Sequence, residues 1–151
     1  MATYQNLLKL MLWNATTNVR NKTLELHKFL TNHNTNMAIV TETWLTPINV
    51  LKFSNYNIYR KDQSLTTSNN PGGEMLLVIR KNIPAEDIPQ PFSPNIEYIS
   101  IILKTTPTLI IGAAYVPPKI KILQTDVDNI ISAHKTEHFF IGGNFNAKHR
   151  I

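Results

Sequence analysis

Two short apolar runs flank one amphipathic stretch near the start of this chain, and that arrangement limits the fold more than any other feature. Residues 7–13 read LLKLMLW and residues 37–41 read MAIVT. Each is too short for a buried helix, so each is expected to be a buried strand. Between them, Val19, Thr23, Leu26, Leu30 and His33 recur at helical spacing, with Phe29 beside them. That spacing predicts a helix over 19–33, capped by Asn18 or Asn21. Strand, helix and strand within about forty residues is the mark of an α/β layer.

The rest of the chain adds strands faster than helices. After a loop over 46–54, strands are expected at 55–60 (NYNIYR) and 75–80, separated by a polar Gly/Pro-rich loop at 61–73. Pro84, Pro89, Pro91 and Pro94 are read as excluding regular structure from 82–95. Two β-rich runs, 98–104 and 109–115, suggest a hairpin through Thr105–Pro107. A second helix is expected to open at Thr125, with Asp128 as its capping acid and Val127, Ile130, Ile131 and His134 as its apolar face. A last strand is expected at 138–141, ended by Gly142 and Gly143. The expected class is therefore α/β (α+β), with mixed sheets and outer helices.

Composition narrows the chemistry. The chain has 151 residues and no Cys, which excludes a disulfide scaffold, a Cys-ligated zinc site and a Cys nucleophile. No apolar run approaches the roughly 20 residues of a membrane span. The first dozen residues lack the basic and apolar regions of a signal peptide. An intracellular, soluble protein is expected. The net charge of +5 sits at the two ends, since residues 37–118 balance their bases and acids. That distribution suits a polyanion such as nucleic acid, but also ordinary solubility charge. The five His show no HExxH spacing, and the Gly-Gly-Glu at 72–74 lacks the GK[ST] of a phosphate loop.

Several expected strands end in a polar residue. Asn14, Glu42, Tyr115, Asn144 and Asn146 each follow an apolar run, and strand ends are where loops converge into a site. The wording around them, WNATTNVRNKTLELHKFL, AIVTETWL, YNIYRKD, GGEMLLVIRK, AAYVPP and GGNFNAKH, resembles the endonuclease domain of non-LTR, jockey-like retrotransposons. That domain is a branch of the exonuclease–endonuclease–phosphatase superfamily. The resemblance covers residues 8–149 and implies a four-layer sandwich of two mixed sheets flanked by helices.

The resemblance also implies a reaction: hydrolysis of a DNA phosphodiester, nicking the target for insertion with Mg²⁺ or Mn²⁺. Glu42 would ligate the metal, as suits a hard cation. Asn14 would ligate it or orient Glu42, and could meet a phosphate. Tyr115 would contact the scissile phosphate, Asn146 would bind phosphate, and Lys148 would meet the DNA backbone. Implied partners are DNA and a reverse transcriptase domain in the parent element, with the nucleus as the place of action.

Three departures from the pattern bear on activity. Asn144 stands where the family has an Asp, and an amide cannot take up a proton at neutral pH. The family's later Asp–His pair is expected beyond Ile151, so the chain reads as one domain over 1–151 lacking C-terminal strands. His149 belongs to the AKH motif, not to that pair. Glu74 replaces a usual Gly or small residue. An impaired endonuclease, a non-catalytic remnant that binds nucleic acid weakly, and a phosphomonoesterase of the same superfamily are the readings left open.

Overall fold

The computed structural model describes residues 7–16, 19–62, 74–135 and 137–146. Its elements in order are β1 (Leu10–Asn14), a 3-10 turn (Val19–Lys22), α1 (Thr23–Asn32), β2 (Met37–Thr41), β3 (Tyr56–Lys61), β4 (Met75–Arg80), β5 (Ala85–Asp87), β6 (Glu97–Leu103), β7 (Leu109–Tyr115), α2 (Gln124–His134) and β8 (His138–Asn144). The strands form two four-stranded mixed sheets, ordered β1-β2-β4-β3 and β5-β6-β7-β8. The two parallel pairs, β1 with β2 and β7 with β8, are each joined through a helix, as parallel strands require.

Alternation along the strands builds the layers. In the first sheet Ile39, Leu77 and Ile79 face the second sheet and meet Ile101, Leu103, Ile111 and Ala113 in a common core. The opposite face of the first sheet offers Ala38, Val40, Leu76 and Val78 to Leu26 and Leu30 of α1. The outer face of the second sheet offers Tyr98 and Ala114 to Ile130 of α2. The result is the expected four-layer order of helix, sheet, sheet, helix. All five residues of β2 are buried because it lies inside its sheet and is covered on both faces. β1 is an edge strand, so the expectation of full burial fails there, and Leu12 is 51% exposed.

The helices depend on their buried anchors. α1 has no side-chain cap: Lys22 takes the N-cap position, Asn21 lies within the 3-10 turn, and Asn18 falls outside the described residues. A ten-residue helix is marginal by itself. Truncating a fully buried Leu such as Leu30 costs roughly 2–5 kcal/mol, far more than a cap supplies. α2 begins one residue earlier than expected, and Asp126, not Asp128, is the acid that caps it. Its carboxylate accepts the Leu123 N–H at 2.8 Å, the Asn95 amide at 2.9 Å and the Ser93 hydroxyl at 3.0 Å. The Asn95 and Leu123 bonds, with a smaller part from Ser93, hold its pKa below the ordinary value against the effect of burial. The buried face of α2 is Asp126, Ile130 and His134, while Ile131 is exposed. His134 meets the Tyr98 hydroxyl at 3.1 Å, and burial lowers the His134 pKa and pushes that of Tyr98 up to about 12.

Two further expectations are corrected. The Pro-rich segment contains β5, which pairs with β6 directly after Pro84. A three-residue edge strand tolerates this, because a proline just before it removes no ladder hydrogen bond. Gly142 and Gly143 do not end the last strand: β8 runs through them to Asn144. A Cβ on Gly143 would collide with the backbone carbonyl of Ala114, so glycine is what lets β8 lie against β7 there. The polar loop expected at 61–73 is only described at Lys61, which ends β3, and Asp62; the remainder lies outside the described residues.

Candidate active site

The columns of inward-facing side chains that form the core turn polar at one end of the sandwich. On β1 and β2 the inward series ends in Asn14 and Thr41, which are register partners. Thr41 pairs with Met75 of β4, and Met75 with Lys61 of β3. In the second sheet Tyr115 pairs with Glu97 on one side and Asn144 on the other. Glu42 and Glu74 flank Thr41 and Met75 at the same end. The expected residues Asn14, Glu42, Tyr115, Asn144 and Asn146 are therefore brought to one place. Lys148 and His149 lie outside the described residues.

Glu42 is the centre of the hydrogen bonding. Its Oε1 accepts the Asn144 amide at 2.5 Å and the Asn14 amide at 3.3 Å. Both amides have their orientation fixed from behind by backbone donors. Asn14 Oδ1 accepts the Thr16 N–H at 3.2 Å, and Asn144 Oδ1 accepts the Asn146 N–H at 3.0 Å. Each amide thus turns its NH₂ to Glu42 and its oxygen away. Asn146 in turn donates to the Val116 carbonyl at 2.7 Å, and its side chain hydrogen-bonds Tyr115. Asn14 orients Glu42, and Asn146 positions Tyr115.

The electrostatics of the pocket favour a protonated phenol. Burial raises the Tyr115 pKa most, and the charges of Glu42, Glu97 and Glu74 raise it further, against the Asn146 bond. Tyr115 is therefore a hydrogen-bond donor at neutral pH. Burial also raises the Glu97 pKa; Lys61, 3.8 Å away, partly offsets this, and Glu74 adds to it. Glu97, Lys61 and the buried Glu74 join the site through register across the sheets. Glu97 could have been found by counting inward by twos from Leu103, Ile101 and Ile99.

The loops that present these groups are strained. Glu42, Trp44 and Asn146 have φ of 54°, 53° and 44°. A non-glycine residue held in the left-handed region costs on the order of 1–3 kcal/mol, and such costs gather at functional sites. Glu74 supports the first two. Its carboxylate accepts the Trp44 N–H at 3.3 Å and its carbonyl the Thr43 N–H at 3.4 Å.

The donor set fits a hard cation bound on one oxygen. Glu42 Oε2 accepts no hydrogen bond among the described residues, and the surrounding charges are mainly acidic. The flanking hydroxyls of Thr41 and Thr43 are buried without a hydrogen-bond partner among the described residues. Such orphaned groups are rare, and a water or an ion is one partner they could take. No three acidic, His or Cys residues form a metal cage among the described residues. A groove of about 980 Å³ lies at the other end of the sheets, by Leu109 and His138, away from these groups.

Residues 13–150 match the model of the Endonuclease/Exonuclease/phosphatase family. The chain belongs to that family. It is 28% identical over 131 residues to the RNA-directed DNA polymerase from mobile element jockey of Drosophila funebris, covering 83% of this chain and 13% of that protein. Among solved structures, the endonuclease domain of TRAS1, a telomere-specific non-LTR retrotransposon, superposes with a TM-score of 0.67 at 14% identity, over 93% of this chain and 61% of that one. A Neisseria 3′ phosphatase, NExo, bound to a product DNA hairpin gives 0.64 at 12% identity, over 93% and 58%. The chain thus spans a small part of the jockey polymerase and about three fifths of the two structures. These likenesses confirm the sandwich expected from the sequence. Among the described residues, no helix is long and apolar enough to cross a membrane.

Proposed function

We propose that this chain is an endonuclease-type domain that binds a DNA phosphodiester, with a divalent cation on Glu42, and hydrolyses it poorly because Asn144 replaces an acid. The convergence of Glu42, Asn14, Tyr115, Asn144 and Asn146 in one hydrogen-bonded row carries the reading. A bound cation would polarise the phosphate oxygens and offset the local acidic charge. Tyr115 would donate to a phosphate oxygen, Asn14 would hold Glu42 in place, and Asn146 would hold Tyr115. Lys148 would add a backbone contact. The jockey relative, an RNA-directed DNA polymerase, supports a reverse transcriptase domain as partner, and the proposed place of action is the nucleus.

The Asn144 geometry favours binding over turnover. Its amide hydrogen already points at Glu42 and its oxygen at a backbone N–H, so it offers no proton acceptor to an attacking water. The expected result with supercoiled plasmid and Mg²⁺ is salt-sensitive binding with nicking barely above that of Glu42→Ala. Binding that does not weaken as salt rises would contradict the phosphate mode. Rapid nicking that Glu42→Ala abolishes would contradict the impairment.

A further inference from the structure

Two exposed aromatic residues follow the site residues along the chain, and the phosphate chemistry leaves both unused. Trp44 lies two residues beyond Glu42 and is 44% exposed. It has no aromatic or cationic partner among the described residues. Its neighbours Thr43 and Leu45 are both buried, at 0% and 1% exposure. The backbone is therefore anchored on each side, and the indole is the group left outside. A bulky aromatic at φ 53° is unusual in a loop that any flexible residue could form. The loop is held by the carboxylate of Glu74, itself fully buried. An accidental surface tryptophan needs neither a left-handed backbone nor a buried carboxylate to hold its N–H. Phe145, 38% exposed, follows Asn144 on the second sheet, and Asn144 touches Glu42. One aromatic thus follows each member of the Glu42–Asn144 pair.

We propose that Trp44 is a stacking platform for a nucleobase next to the phosphate held at the Glu42–Asn144 row. The inference rests on the phosphodiester reading above. Every nucleobase has a π-face, so the platform would accept any sequence and would favour unstacked or single-stranded DNA. Glu74 would act as its positioning residue.

The test uses Trp13→Phe protein, in which Trp44 is the remaining tryptophan. Its fluorescence is titrated in Mg²⁺ with a short oligothymidylate and with an abasic oligomer of equal length and charge. The expected result is saturable quenching by the base-bearing oligomer alone. Affinities are then read from the anisotropy of dye-labelled oligomers: Trp44→Leu should weaken the oligothymidylate by roughly tenfold and leave the abasic oligomer unchanged, while Trp44→Phe keeps most of the affinity. A thermal melt equal to that of the parent shows that the variants fold. Equal affinity for both oligomers, unmoved by Trp44→Leu, overturns the platform and leaves the phosphate reading standing. Failure of both oligomers to bind overturns both.

Discussion

Asn144→Asp is expected to raise Mg²⁺-dependent nicking of supercoiled DNA by about 10²–10⁴, the usual worth of a positioned acid–base group. The side chain is already in place, 2.5 Å from Glu42 and braced by the Asn146 N–H. The substitution changes charge and proton capacity while keeping shape. It also sets two carboxylates against each other, a repulsion of about 4 kcal/mol at 4 Å for an effective dielectric of 20. The variant should therefore melt lower than wild type without a cation and regain stability as Mg²⁺ is added. Adding Glu42→Ala should remove the gained nicking. A variant that nicks no faster than wild type would show that Asn144 is not what limits the reaction.

Gly143→Ala should lower stability by roughly 3 kcal/mol, at the upper end for overpacking, because the obstacle is a backbone carbonyl that cannot rotate away. For a chain of this size that is a Tm lower by roughly 6–12 °C. Gly142→Ala is the matched control. Its added Cβ would meet the Phe140 ring at 3.1 Å, the Ile39 methyl at 3.2 Å and a Leu12 methyl at 3.5 Å, all side-chain ends. Its cost should be clearly smaller in the same calorimetric scan. Equal losses for the two would mean that β8 does not depend on its approach to β7 at Ala114. Because Tyr115 pairs with Asn144 one position further along, Gly143→Ala should also weaken DNA binding.

These expectations separate what the sequence discloses from what it conceals. The apolar run of β2 was readable as a strand because both its faces are buried, and Glu42 was readable because it ends that run. Asn14, Tyr115 and Asn144 were readable for the same reason. The resemblance to retrotransposon endonucleases supplied the roles proposed for them. Hidden were the residues that register alone brings in. Glu97 and Lys61 are far apart in sequence and meet only when two sheets stack. The clamp from Glu74 to Trp44 spans thirty positions, and nothing local announces it. Turn residues misled in the other direction. Pro84 obscured β5, and the pair Gly142–Gly143 read as a stop, although the first faces the core and the second makes room for a neighbouring carbonyl.

In the proposed site Glu42 is the cation ligand, and Asn144 gives it a hydrogen bond in place of a second charge. Titration with Mn²⁺, followed by the resonance signal of the free ion, tests this most directly on wild type, Glu42→Gln and Asn144→Asp. The expected result is weak binding by wild type, none by Glu42→Gln, and binding tighter by about tenfold or more in Asn144→Asp, since affinity follows the count of ligand charges. Binding that is the same in Glu42→Gln as in wild type would contradict it.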